Sequence, residues 1–478
     1  MGGRRQKSQE QLCLAFDGES RGEAPTALVE GSEPCMAEHG AESPAGTEAL
    51  MEEVCRAENL RQALRRVRAN GGSPGVDGMT VDELPGYLKQ HWPEIKAQLL
   101  AGAYQPQPVR RVEVAKAGGG VRKLGIPTVV DRFIQQAILQ VLQPLWDPTF
   151  SEHSFGFRPQ RSAHQAVARA QGYIAEGHRW VVDMDLEQFF DRVNHDMLMG
   201  RVARRVADKR LLKLLRAFLN AGVLEGGLLS PTAEGTPQGG PLSPLLSNLF
   251  LDDLDRELER RGHRFVRYAD DCNIYVRSER AGQRVMDSLT RFIERKLKLR
   301  VNRDKSAVAR PWQRKFLGFG FTAHKEPKRR IARESLQRFK QRVRQITRRS
   351  KGQNISRMAA ELRRYLLGWR AYFGYCETPS VLRGLDSWIR RRFRCVAWKQ
   401  WKRGRTRYAA LRRRGVGRDL AAQTAGSSHG PWRISKSPAL SFAFPTASFS
   451  SLGLPTLEPP APRSTNRTAV YGPVRTVV

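Results

Sequence analysis

Two adjacent aspartates, Asp270 and Asp271, lie between two runs of strand-forming residues, Phe265-Val266-Arg267-Tyr268 and Asn273-Ile274-Tyr275-Val276. β-Branched and aromatic side chains fit a pleated surface and aspartate tolerates a turn, so the segment reads as a hairpin with an acidic tip. Side-by-side carboxylates repel, and a buried pair does not stay fully ionised without compensation. A divalent cation removes that conflict. Hard oxygen ligands suit magnesium, and paired magnesium ions assist the joining of nucleotides. A solvated acidic loop is the plain alternative for such a pair taken alone.

A second acidic site lies upstream. Trp180-Val181-Val182-Asp183-Met184-Asp185-Leu186 reads as a buried strand ending in acid, followed by Phe189-Phe190-Asp191. The two-residue period of a strand puts Asp183 and Asp185 on one face. Asp183, Asp185 and Asp191 are then the candidates for a third carboxylate. Between the two acidic sites runs Gly235-Thr236-Pro237-Gln238-Gly239-Gly240-Pro241-Leu242-Ser243-Pro244. Ser243 is expected as an N-cap with Pro244 at the first helical position, and Leu245, Leu246, Leu249, Leu254 and Leu258 then recur at helical spacing. Glycines let that loop's backbone come close to a ligand.

The order and flanks of these segments resemble the reverse transcriptases of the group II intron type. The resemblance covers about residues 55 to 455. It implies that Asp185, Asp270 and Asp271 bind two Mg2+ ions, with Asp183 and Asp191 structural. It puts Gln238 and its loop against the nascent base pair. It puts Phe190 under the sugar of the incoming nucleotide, where the ring excludes a ribose 2′-hydroxyl and so selects dNTPs. Phe189 reads as core. Lys116 and Arg122 bracket Ala117-Gly118-Gly119-Gly120 and resemble the hairpin that grips the triphosphate. Two departures stand there, since the family usually has a lysine near Gly120 and a proline at Lys123. Arg158, in Ser154-Phe155-Gly156-Phe157-Arg158-Pro159, is expected near template or nucleotide, and Ser162 is expected to cap a helix from Ala163. Lys305 matches a lysine that protonates the leaving pyrophosphate, and Phe316-Leu317-Gly318-Phe319 a hairpin that cradles the primer end.

Charge agrees with a polyanionic partner. Lysine and arginine number 82 against 47 acids, a formal net charge of +35. Between Lys325 and Arg418 there are 30 basic and 5 acidic residues, so most of the surplus sits in one stretch. Trp369, Tyr372, Phe373, Tyr375, Trp388, Trp398 and Trp401 interleave with that charge, which argues against a membrane surface. Met358, Leu362, Leu366, Trp369 and Phe373 form one helical stripe that reads as core, leaving arginines on other faces for phosphates. Gly368-Trp369-Arg370 and Trp388-Ile389-Arg390 resemble the thumb, or maturase domain, of the same family.

The fold class expected is α+β: a right-hand polymerase whose fingers and palm carry an antiparallel sheet packed on helices, followed by an all-helical thumb/maturase domain. The expected divisions are a disordered leader at 1–48, fingers and palm with an N-terminal extension at 49–322, thumb at 323–415, a DNA-binding segment at 416–455 and a loose tail at 456–478. Asn70-Gly71-Gly72-Ser73-Pro74-Gly75 belongs to the extension, and early acids (Glu10, Asp17, Glu19) disfavour a transit peptide. Cys13, Cys35, Cys55, Cys272, Cys376 and Cys395 form no CxxC pair, so the resemblance is to endonuclease-free members. The partners implied are an intron RNA template, an RNA–DNA hybrid or DNA primer, dNTPs and target DNA, with no membrane, in the cytoplasm. The activity implied is RNA-directed DNA synthesis with assisted splicing during retrohoming. A domesticated relative in DNA repair or defence, or a splicing-only maturase, would share most of these residues.

Overall fold

The computed structural model describes residues 46–458, apart from 116–120, 226–227, 231–234, 236–238 and 349–351. The expected leader and tail therefore lie almost wholly outside the described residues. Ten strands are described: β1 (Val109–Ala115), β2 (Val121–Ile126), β3 (Trp180–Met184), β4 (Val223–Glu225), β5 (Leu228–Ser230), β6 (Arg264–Tyr268), β7 (Asp271–Val276), β8 (Ala307–Ala309), β9 (Phe319–Phe321) and β10 (Arg329–Ile331). The chain divides into two compact units. The first runs to Ala309, apart from Ile174–Glu176, and the second continues from Arg310.

The first unit is α+β. One sheet has the order β2-β1-β4-β5 and the other β6-β7-β3-β8. Every pairing in the second sheet is antiparallel. Leucine-rich helices supply its core. Helix Val129–Trp146 is buried along most of its length, and helix Ser243–Arg260 buries the expected stripe of Leu245, Leu246, Leu249, Leu254 and Leu258. The Thr128 hydroxyl caps the first of these, accepting from the Asp131 amide at 3.1 Å. Arg132, one turn on, donates to the carbonyls of Gly71 (3.2 Å) and Ser73 (2.9 Å), which pins the glycine-rich loop of the N-terminal extension.

Two local expectations fared differently. Ser162 does cap helix Ala163–Ala175: its hydroxyl accepts from the Gln165 amide, and the Gln165 side chain accepts from the Ser162 amide at 2.7 Å. Ser243 does not cap its helix. Leu242 already has helical dihedrals (φ −77°, ψ −29°), so Ser243 falls inside the first turn and lacks the extended backbone a capping side chain needs.

The second unit holds the short pair β9–β10 and a series of helices, among them Arg333–Ile346, Ile355–Phe373 and Pro379–Gln400. Met358, Leu362, Leu366 and Trp369 are buried in its core and Phe373 packs against it, as the stripe implied. The Phe316–Phe319 hairpin lies in this compact unit. Its two central residues both have positive φ (Leu317 51°, Gly318 79°), the geometry of a tight hairpin turn. The Tyr372 hydroxyl donates to the Leu317 carbonyl at 2.8 Å, which ties the hairpin to helix Ile355–Phe373. Several arginines of this unit lie over its own rings, Arg407 over Trp398 and Arg414 over Trp401. No helix among the described residues is long and apolar enough to cross a membrane.

Candidate active site

The acidic tip is a two-residue hairpin turn. β6 and β7 pair antiparallel up to Tyr268 opposite Asp271, with Ala269 and Asp270 in the turn. Ala269 has a φ of 58°, a conformation a side-chain-bearing residue adopts only when its surroundings impose it. β3 runs beside β7 with Asp183 opposite Asn273 and Met184 opposite Cys272. One further step of that register sets Asp185 alongside Asp271. The sheet thus gathers three carboxylates, distant in sequence, at one end.

The segment Arg300–Ser306 closes the other side of Asp185. The Asn302 amide donates to the Asp185 carbonyl at 2.8 Å, and the Asp185 amide donates to the Ser306 hydroxyl at 3.0 Å. These bonds hold Lys305 close: its Nζ is 3.3 Å from Asp185 Oδ2, although two-thirds (66%) of the lysine side chain is exposed. Oδ2 is buried and makes that ion pair but no well-aligned hydrogen bond. Among the described residues no three carboxyl, imidazole or thiol groups form a ready-made metal cage. A buried carboxylate oxygen met only by an exposed lysine, beside two further acids, is nevertheless the hard donor set that a divalent cation takes.

Phe190 sits in a single helical turn, Phe189–Asp191, just after the strand. Phe189 is buried, as its core reading required. Phe190 is half-buried and meets it edge-on at 5.2 Å. The glycine-rich loop starts against the same turn. The Gly235 amide donates to the Val193 carbonyl at 2.8 Å, and a Cβ at Gly235 would lie 2.8 Å from the Phe190 carbonyl oxygen. Further on, a Cβ at Gly239 would meet the Gly125 carbonyl at 2.6 Å, so this loop also packs on the base of the β1–β2 hairpin. Arg122 lies in β2, paired with Val114. Lys116 and Gln238 fall outside the described residues.

Arg158 is not where a nucleotide contact would need it. Its side chain is buried, with Nε donating to Asp147 Oδ1 at 2.9 Å, Nη2 to the Asp147 carbonyl at 2.7 Å, and Nη1 to the carbonyls of Ser151 (2.6 Å) and Ser154 (3.1 Å). Its donors are consumed in shaping the loop that carries Gly156. That loop turns out to be the floor of the acidic turn. A Cβ at Gly156 would collide with the Ala269 backbone nitrogen, and the Phe155 amide donates to the Arg267 carbonyl at 2.9 Å.

Below this floor lies a network the sequence reading missed. Arg267 is fully buried in β6. Its Nε donates to Asp255 Oδ1 at 2.7 Å and Nη2 to Asp255 Oδ2. Nη1 donates to Asn248 Oδ1 (2.9 Å) and to the Ala269 carbonyl (3.0 Å). Asn248 Nδ2 in turn donates to the Gly156 carbonyl at 2.8 Å. Desolvation alone would lower the Arg267 pKa, but the charge and hydrogen bonds of Asp255 raise it above the ordinary value, so the guanidinium stays charged. A signal was available: Asp255 interrupts the apolar stripe between Leu251 and Leu258, and Arg267 interrupts an apolar strand. Two buried opposite charges call for each other.

Residues 114–321 match the model of the reverse transcriptase (RNA-dependent DNA polymerase) family, and residues 336–415 that of the group II intron maturase-specific domain. Protein YkfC of Escherichia coli K12 is 33% identical over 299 residues, which cover 54% of this chain and 78% of YkfC. The group II intron-encoded protein LtrA of Lactococcus lactis subsp. cremoris is 31% identical over 323 residues, covering 54% of each chain. A chain of a partial Cas6-RT-Cas1–Cas2 complex is 25% identical over 52% of this chain and 42% of its own, with a TM-score of 0.34, too low to bear on the fold.

The chain belongs to the group II intron reverse transcriptases. It combines a reverse transcriptase domain with a maturase domain, and the family's activity is RNA-directed DNA synthesis. Divalent metal ions are general in this family. The acidic end of its second sheet fits them electrostatically. Asp271 is the exposed first residue of β7, but its carboxyl faces the other acids: desolvation there, then the charges of Asp270, Asp183 and Asp185, push it up to about 7, with Lys305 opposing.

Two outcomes follow from this geometry. Replacing Arg267 with Met leaves Asp255 buried and unpaired, and is expected to cost about 3–5 kcal/mol of stability. Urea unfolding measures it, and a loss below about 1 kcal/mol would contradict a weight-bearing pair. The second outcome concerns pH. A carboxyl raised in the folded state binds its proton more tightly there, so stability falls as pH climbs from about 4, the unfolded value, to about 7. Buried Asp131, raised to about 6, falls in the same range and has to be subtracted. In EDTA, the thermal midpoint of the wild type is therefore expected to drop more between pH 5 and pH 8 than that of Asp271→Asn. Equal drops would remove the electrostatic reading of Asp271.

Proposed function

We propose that Asp185, Asp270 and Asp271 hold two Mg2+ ions for templated DNA synthesis on the chain's own intron RNA, and that the same protein assists splicing of that RNA and copies it during retrohoming. The observation that carries this reading is the buried Asp185 Oδ2, paired with an exposed lysine, beside the acidic turn, with Asp271 raised by desolvation and by its acidic neighbours. Bound there, the cations would acidify the primer 3′-hydroxyl and neutralise charge on the transferring phosphate.

The protein's own residues do the rest. Asp185, fixed through its backbone to Asn302 and Ser306, gives one rigid side of the site. Ala269 in its strained turn holds Asp270 at the tip, supported by Arg267. Lys305, 3.3 Å from Asp185 and still in contact with solvent, would give a proton to the leaving pyrophosphate. Arg122 and Lys116 would neutralise the triphosphate, Gln238 would rest against the new base pair, and Phe190 would pack under the sugar. The expected partners are the intron RNA, a DNA primer or RNA–DNA hybrid, dNTPs and target DNA. The helical segment 416–455 is proposed to meet that DNA, and the cytoplasm is the proposed compartment.

Asp270→Asn is expected to abolish primer extension on an RNA template while RNA binding, read by filter retention, stays within about twofold, because one metal charge is lost and little positive surface changes. Extension at the wild-type rate would end the triad assignment. Phe190→Ala is expected to admit rNTPs, seen as a fall in the ratio of dNTP to rNTP incorporation of about tenfold or more. An unchanged ratio would remove Phe190 from sugar discrimination.

A further inference from the structure

The second unit carries a cavity of about 310 Å3 lined by Arg344, Trp388, Arg392, Cys395 and Trp432. It is assembled from three helices. Trp388, Arg391, Arg392 and Cys395 follow one face of helix Pro379–Gln400 at helical spacing, Arg344 comes from Arg333–Ile346, and Trp432 from Pro431–Ile434. Both lining guanidiniums lie over the Trp388 ring, Arg344 at 5.7 Å and Arg392 at 5.5 Å from its centre. Arg392 is fixed by Thr347, with Nε donating to the hydroxyl at 2.6 Å and Nη2 to the carbonyl at 3.1 Å. Arg391 lies 3.7 Å from the centre of the Trp432 ring and donates to the Trp432 carbonyl at 2.8 Å, which orients that indole. Trp432 nevertheless keeps 40% of its surface exposed, unusual for a large ring that its own neighbours hold in place.

The chemistry of the lining selects its ligand. No carboxylate lines the cavity, and two guanidiniums do, so a cationic guest of the aromatic-cage kind is repelled. A wholly apolar guest would have to desolvate both arginines. A planar π-system joined to an anion satisfies every wall at once: the ring stacks on indole and the charge meets arginine. The volume is at the lower end of small-ligand sites, which begin at about 300 Å3. We propose that this cavity takes one unpaired nucleotide, base and phosphate, from single-stranded RNA held by the helical unit. The proposal deepens the RNA-binding reading above by naming where that unit grips an unstacked base. Aromatic stacking of splayed bases is how proteins recognise single-stranded RNA, whereas a duplex presents only its backbone and grooves.

The test uses the full chain and fluorescence anisotropy with a labelled single-stranded RNA of about a dozen nucleotides, beside a blunt RNA duplex of similar length. Trp432→Ala is expected to weaken single-strand binding about tenfold and Trp432→Phe to restore most of it, with duplex binding unchanged. Arg344→Gln, on an exposed residue, is expected to weaken single-strand binding and to lower its salt dependence by about one ion. Equal losses on strand and duplex, or no loss for either Trp432→Ala or Arg344→Gln, would overturn the proposal. Competition by free AMP at concentrations comparable to the oligonucleotide would overturn it too, by assigning the cavity to mononucleotides. Primer extension by the same wild-type preparation reads the polymerase separately: its failure would sink that function and leave the strand-binding result standing.

Discussion

Like charges crowded at the end of one sheet are the constraint on which this molecule is built. Asp270 and Asp271 are adjacent by sequence, and β3 brings Asp185 alongside. Mutual repulsion would splay such a cluster unless the backbone were held from beneath. The holding is done by a buried ion pair of opposite sign, Arg267 with Asp255, reaching the turn itself through the Ala269 carbonyl. A buried pair of this kind is weak evidence of net stabilisation, because desolvation consumes much of its attraction. Its geometric effect is larger. Desolvated and joined by two hydrogen bonds, the pair tolerates few alternatives, and so it fixes where the acids stand.

The same economy explains the neighbouring motif. Gly156 is required because the acidic turn lies on its backbone, and Arg158 is required because four carbonyls and a carboxylate of its loop need a donor. Arg158 was expected at the nucleotide, yet its guanidinium is spent inside the protein. An arginine in a functional motif can serve the site through the backbone it shapes.

The helical unit uses arginine in two ways. Some guanidiniums cover the unit's own tryptophans, as Arg407 does with Trp398 and Arg414 with Trp401. Around Trp388 and Trp432 the same pairing leaves a cavity open. Part of the charge in a stretch with 30 basic residues is therefore held in place by rings.

Much of the fold was legible in the sequence because the signals were local. Alternating strand formers around Asp270 and Asp271, the leucine stripe from Leu245 to Leu258 and the stripe from Met358 to Phe373 each specify an element by its own period. The start of helix Ser243–Arg260 was misread by one residue, since Leu242 is already helical and sequence carries no dihedral. The sequence by itself determined which residues are acids, rings and glycines, and in what order the motifs run. Only the tertiary structure decided that Arg158 faces inward, that Asp255 and Arg267 meet under the turn, and that Trp388 and Trp432 share a cavity. Those facts depend on how separate elements pack, and pairing across long stretches of chain is set by the joint burial of many side chains rather than by any one segment's pattern.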